Sequence, residues 1–231
     1  MNKIVIIGAS GHAKVIIDII ELQNQFEIIG LVDTYKKKGE ILYNYKILGT
    51  EKDLPILIKE HDIDGGIIAI GDNWTRKKVY EEIEGIFSDF KYITAIHPHS
   101  VIGKNVKIGA GTVIMAGVII NSDAVIDRHS IINTKSSVGH DTIIKEFASV
   151  APGVTIGGDV NIGKGTAISL GVNVLEGVTI GKYCVIGAGS LVNRNIKAKT
   201  LAYGIPAKII KKRNLDDKYL GLTKDKKPKG V

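Results

Sequence analysis

Six histidines, at positions 12, 61, 97, 99, 129 and 140, are the side chains of this 231-residue chain best suited to move protons near neutral pH. His140 is followed directly by Asp141, and a carboxylate beside an imidazole orients the ring and strengthens it as a base. Adjacency alone does not set the geometry: Asp141 could also act through a water or the backbone. His129 has no neighbouring acid and is read as a surface histidine. His61 lies in a charged helical stretch, and His97 and His99 flank Pro98 at a joint, which favours structural roles. His129 and His140 would supply only two metal ligands where zinc takes three or four, so no metal site is expected.

The frame that positions His140 is a repeat. From Ile102 to Val192 every sixth residue is Ile or Val, and four residues after each stands a small or β-branched residue such as Thr112, Ser136 or Cys184. Such a register is the hexapeptide repeat of a parallel β-helix, in which each hexapeptide supplies one short strand and one turn and three close a triangular coil. Residues 102–191 make fifteen hexapeptides and five coils. The aliphatic residue fills the prism, and Gly often follows it, as at Gly103, Gly139 and Gly157, where it is expected to ease the backbone torsions of the corners. His140, two places after Val138, must then face outward or occupy a corner, while Cys184 belongs to the core pattern and is badly placed as a nucleophile. The open prism ends need covers. The preceding domain is expected at one end and the segment Tyr203–Lys208 at the other.

The first hundred residues read differently. A buried strand from Lys3 to Ile7 ends at Gly8-Ala9-Ser10-Gly11-His12; an amphipathic stretch, Ala13 to Leu22, precedes a second strand, Phe26 to Val32, closed by Asp33. A third apolar run, Gly66 to Ile70, ends at Gly71-Asp72-Asn73 and leads into a helical stretch from Trp74 to Ile83. Strands alternating with helices predict a small parallel, Rossmann-like α/β domain, whose ligands bind at the carboxyl ends of the strands. The glycine loop lacks the full dinucleotide fingerprint, so either a phosphate cradle or a plain glycine turn fits it; Asp33 stands at roughly the 20-residue spacing where an acid meets ribose hydroxyls. Three segments are expected: 1–97, the α/β domain; 98–210, the β-helix; and 211–231, a basic tail.

Composition excludes several classes. Apolar residues make up 44% and charged ones 24%, which is globular, and a single Cys rules out an internal disulfide framework and favours a reducing, cytoplasmic setting. No apolar run approaches the roughly 20 residues of a membrane span, and no signal peptide is visible. Much of the net charge of +7 lies in Lys211-Lys212-Arg213 and Lys224 to Lys229, read as a solvated tail. Without aromatic residues interleaved among these basic ones, no nucleic-acid partner is expected.

Three stretches together carry a resemblance: Gly8-Ala9-Ser10-Gly11-His12; Ile132-Asn133-Thr134 with Gly139-His140-Asp141; and Glu146-Phe147 ahead of Ala151-Pro152-Gly153-Val154. In this order they resemble the family of sialic-acid O-acetyltransferases and nucleotide-4-amino-sugar N-acetyltransferases, most of all its bacillosamine-pathway branch, from about Lys3 to about Lys208. The resemblance implies a left-handed β-helix, a homotrimer with active sites between neighbouring subunits, and acetyl-CoA as co-substrate. It implies that His140 is the general base, that Asp141 orients it and that Asn133 holds the sugar. Gly8, Ser10, Gly11, His12, Asp33, Asn73 and Arg76 would line the nucleotide-sugar site. Acetyl-CoA would lie near Ser149, Gly158, Leu170 and Ala188, its nucleotide end towards Pro206 and Lys208. The expected reaction is direct acetyl transfer to the 4-amino group of a nucleotide-linked 4-amino-4,6-dideoxy sugar, with backbone N–H groups near Gly158 holding the oxyanion. The alternatives are O-acetylation of sialic acid or another sugar, and a silent β-helix that binds nucleotide or CoA. One departure stands at Ser149, where members of the family often carry a second His; a hydroxyl can donate a hydrogen bond there but cannot carry a proton.

Overall fold

A computed structural model describes residues 1–220; the tail lysines from Lys224 to Lys229 lie outside the described residues. The α/β part comprises β1 (Asn2–Ile7), α1 (Gly11–Gln23), β2 (Phe26–Val32), β3 (Ile41–Leu42), β4 (Tyr45–Gly49), α2 (Leu54–His61), β5 (Gly65–Ile68) and α3 (Asn73–Ile86). Its sheet runs β3-β4-β2-β1-β5, parallel except for the β3–β4 hairpin. β1 is buried on both faces, as its unbroken Ile-Val-Ile-Ile run requires of a central parallel strand.

The prism follows with an 18-residue coil: Ile119 pairs with Ser137, Ser137 with Thr155 and Thr155 with Asn173, and the other two faces repeat the same step. It starts earlier than the repeat alone indicates, because Ala95–Ile96 already pairs with Val113–Ile114. The Ile and Val ladder is buried from Ile114 to Val192, at 3% exposure or less. Burying one such side chain is worth about 2–3 kcal/mol, gained only when coils stack.

The corners correct one expectation. At every sixth position from Asn105 to Gly189 the residue has positive φ, and it is Gly, Asn or Asp at eleven of fifteen corners but His129, Lys135, Phe147 and Tyr183 at the other four. The glycines after the ladder residue do not have positive φ; they are needed for close approach. A Cβ at Gly139 would stand 2.3 Å from the backbone of Gly157, and one at Gly163 would stand 2.4 Å from Lys182 N.

The covers also differ from expectation. The hairpin Thr200–Gly204 and Ala207–Lys212 does close the far end, extending one face beyond Val185–Ile186 and burying Ala202 and Ala207 in the prism core. The α/β domain instead lies along the flank. Ile16 and Ile20 of α1 share one apolar cluster with Val113, Met115 and Ile131, leaving Val101 and Ile102 at the near end exposed.

Candidate active site

His140 and Asp141 stand on the corner between the strands Ser137–Val138 and Ile143–Ile144. Asp141 takes the positive-φ place, and its Oδ2 lies 2.7 Å from His140 Nδ1. With Nδ1–H donating to the carboxylate, the Nε2 lone pair is free to accept a proton. Both side chains are more than 60% exposed. The ring rests over Gly158, where an added Cβ would come within 2.6 Å of Cε1 and Nε2. The Gly158 carbonyl accepts from Gly177 N, while its N–H has no partner among the described residues.

A second constellation lies elsewhere on the prism. A groove of about 850 Å³ runs along the face formed by Ile131–Ile132, Ser149–Val150, Ala167–Ile168 and Val185–Ile186. His12 and Gly71 of the α/β domain close one end; Asn133, Ser149, Leu170 and Ala188 border its length. Five expected residues thus meet here, whereas His140, Asp141 and Gly158 stand together across the width of the next face. Pro206 and Lys208 sit on the C-terminal hairpin, outside the groove lining.

The carboxyl ends of β1 and β2 are tied together. Gly8, at φ 105°, donates to Val32 O, and Ala9 N donates to Asp33 Oδ2 at 2.7 Å. Asp33 Oδ1 accepts from Tyr35 N and Lys36 N, so this carboxylate shapes the loops and keeps little acceptor capacity for a ribose. Ser10 caps α1 with its hydroxyl unbonded to the helix, and Gly11 faces open space. His12 Nε2 is buried without a partner, and burial first, then the Arg76 charge, lowers its pKa to about 4. It is a neutral ring facing the groove, with a nitrogen a ligand can satisfy.

Asn73 and Arg76 have another task than the one expected. Arg76 is 1% exposed, and its guanidinium donates to His129 O at 2.9 Å, Ile70 O at 2.9 Å, Asn73 Oδ1 at 2.8 Å and Phe147 O at 3.2 Å. Its donors are consumed by carbonyls on both sides of the domain joint, which leaves none for a nucleotide. Burial pushes its pKa down to about 10, so it stays charged. Asn73, 3% exposed, reaches Thr166 O across the same joint.

His129 is likewise no surface residue. It is 1% exposed, stacks on Phe147 at 5.1 Å and meets Tyr92 edge-on at 4.6 Å. Burial, then Arg76 and Arg128, lowers its pKa to about 3. Lys211 and Arg213, read as solvated tail, border the groove with Lys218 and Tyr219. Nothing periodic marks these residues, which follow the last repeat. Among the described residues no group of three or more His, Cys, Asp or Glu is placed to hold a metal, and no helix is long and apolar enough to cross a membrane.

Comparison with known proteins supplies the context. The PglD N-terminal domain family matches residues 3–83. A UDP-N-acetylbacillosamine N-acetyltransferase of Bacillus subtilis is 34% identical over 116 residues, 49% of this chain and 51% of that protein, so the match spans about half the length of this curated relative. Perosamine N-acetyltransferase from Caulobacter crescentus, solved as a variant in complex with CoA and GDP-perosamine, is 33% identical with a TM-score of 0.86, covering 91% of this chain and 98% of its own. The acetyltransferase domain of PglB from Neisseria gonorrhoeae, in complex with acetyl coenzyme A, is 26% identical with a TM-score of 0.80, covering 91% and 100%. With this near-complete overlap, a PglD-type N-terminal domain and a left-handed β-helix, the chain belongs to the family of nucleotide-amino-sugar N-acetyltransferases.

Proposed function

We propose that this protein transfers the acetyl group of acetyl-CoA to the 4-amino group of a nucleotide-linked 4-amino-4,6-dideoxy sugar, in the cytoplasm, with His140 as general base. The observation that carries this reading is the His140–Asp141 pair, whose Nδ1 bond leaves Nε2 free on an exposed corner beside an unused Gly158 N–H. The perosamine N-acetyltransferase complex with CoA and GDP-perosamine supports the two substrates.

The amine nitrogen attacks the thioester carbonyl, forming the C–N bond and a tetrahedral oxyanion that accepts from the Gly158 N–H. Nε2 takes the amine proton. The C–S bond then breaks, and the imidazolium returns that proton to the departing thiolate. Asp141 holds the ring in the required tautomer throughout. Holding both substrates in place supplies much of the acceleration.

Within one chain the pair and the groove do not meet, so a homotrimer completes the site: His140 of one copy faces the groove of the next. Asn133 and His12 then flank the sugar, and the open Gly8–Gly11 loop, whose shape Asp33 holds through Ala9 N, receives the nucleotide. Ser149, Leu170 and Ala188 follow the coenzyme arm towards Pro206 and Lys208.

The test is turnover of acetyl-CoA with UDP-, dTDP- and GDP-linked 4-amino-4,6-dideoxy sugars, followed by thiol release. One amino-sugar is expected to be acetylated, and His140→Ala to lower the rate by about a hundredfold or more. Release only with hydroxyl acceptors would replace this function with O-acetylation.

A further inference from the structure

The wall of the groove is completed by a segment outside the repeat. From Arg213 to Leu220 the chain leaves the C-terminal hairpin, forms neither helix nor strand, and returns to the α/β domain. Its base is held by Arg213, which donates to Tyr183 O at 3.3 Å and to Asp217 O. Its tip is held by Tyr219, whose hydroxyl oxygen accepts the N–H of Asn73, the first residue of α3, at 2.9 Å across 146 positions of sequence. Burial raises the Tyr219 pKa. Asp217 is the carboxylate of this wall, and it turns onto Asn214 N of its own segment. Lys211 and Lys218 border the same space, with no ion pair among the described residues.

The groove floor is apolar, and from Ile131 to Leu201 it spans four coil steps, about 19 Å at the spacing of neighbouring strands. An apolar channel of that length with cations along one wall fits a thin arm ending in phosphates.

We propose that Arg213–Leu220 is a clamp for acyl-CoA: Tyr219 latches the segment to α3 over the groove, and Lys211, Arg213 and Lys218 set positive charge against the coenzyme phosphates. This rests on the acetyl-CoA-dependent reading above and adds a binding element to it. Few hydrogen bonds hold the segment, so it can open to admit the ligand.

The test is CoA binding by calorimetry at low and high salt, which requires no acceptor. The full chain is compared with chains ending after Lys212 and after Leu220, and with Tyr219→Phe. Ending after Lys212 is expected to weaken CoA at least tenfold and to flatten the salt dependence, which loss of packing alone would leave unchanged. Ending after Leu220 should bind as the full chain does, and Tyr219→Phe should bind a few-fold more weakly. S-acetyl-N-acetylcysteamine, a donor without phosphates, should lose little turnover with any variant. Melting curves confirm folding; if the shorter chain fails to fold, Lys218→Ala and Tyr219→Phe decide the matter by the same salt dependence. Unchanged binding after removal would overturn the proposal, as would tighter binding, which would make the segment a plug. Equal weakening by both shortened chains would also overturn it, by moving the determinant past Leu220. A full chain that binds CoA yet acetylates no amine would overturn the function and leave the clamp standing.

Discussion

His140 takes its position from a residue that has no side chain. The imidazole lies where a Cβ on Gly158 would be, and the ring is exposed and free to swing aside. Gly158→Ala is therefore expected to displace Nε2 at little cost in stability, and to lower kcat by about tenfold to a hundredfold, as misplacing a reacting group does. Its melting temperature should stay close to that of the wild type. A kcat within twofold of wild type would show that the imidazole does not need this seat. The dyad was legible from residue type and register: the step of six put His140 outside the core, and Asp141 followed it. Arg76 was not legible as a joint. Its role depends on carbonyls at 129 and 147 that no local pattern connects to it. Tyr219 was hidden for the same reason, its partner being Asn73.

Among the elements, the corners do more than turn the chain. Two positive-φ positions, His129 and Phe147, lie one coil apart and stack in an aromatic cluster with Tyr80 and Tyr92 of the α/β part, while Arg76 bonds both of their carbonyls. The ladder of Ile and Val announced the coils, but their periodicity says nothing about which corner receives the domain, so His129 looked like a surface residue. Its burial has a consequence in pH. A histidine whose pKa is about 3 when folded and near 6.5 when unfolded binds more protons in the unfolded chain between those values. Its contribution to stability is complete above about pH 6.5 and is lost as pH falls towards 3. At pH 5 the loss is on the order of 2 kcal/mol for this one group. His129→Leu, which cannot titrate, should be less stable than wild type at pH 7 through lost stacking, yet show a shallower fall in melting temperature between pH 7 and pH 5. An unchanged slope would mean that other groups set the acid sensitivity.

At the scale of the whole molecule, the residues of the proposed site fall in two separate places on one chain. The groove gathers His12, Asn133, Ser149, Leu170 and Ala188, and the far corner holds His140, Asp141 and Gly158. Both domain types could be anticipated, since a parallel sheet and a hexapeptide prism each leave a strong pattern. Their arrangement could not, because docking along the flank rather than over the end rests on apolar contacts between Ile16, Val113 and Ile131 that neither pattern encodes. The central claim is that His140 of one copy serves the groove of its neighbour, and complementation tests it most directly. His140→Ala and Ala188→Trp, the latter filling the groove, should each be nearly inactive alone in acetyl transfer to the preferred amino-sugar nucleotide. Refolded or co-expressed together in equal amounts, they should regain about a quarter of wild-type activity, since one interface in four among randomly assorted trimers would pair an intact base with an intact groove. No recovery in mixed assemblies would contradict a site shared between copies.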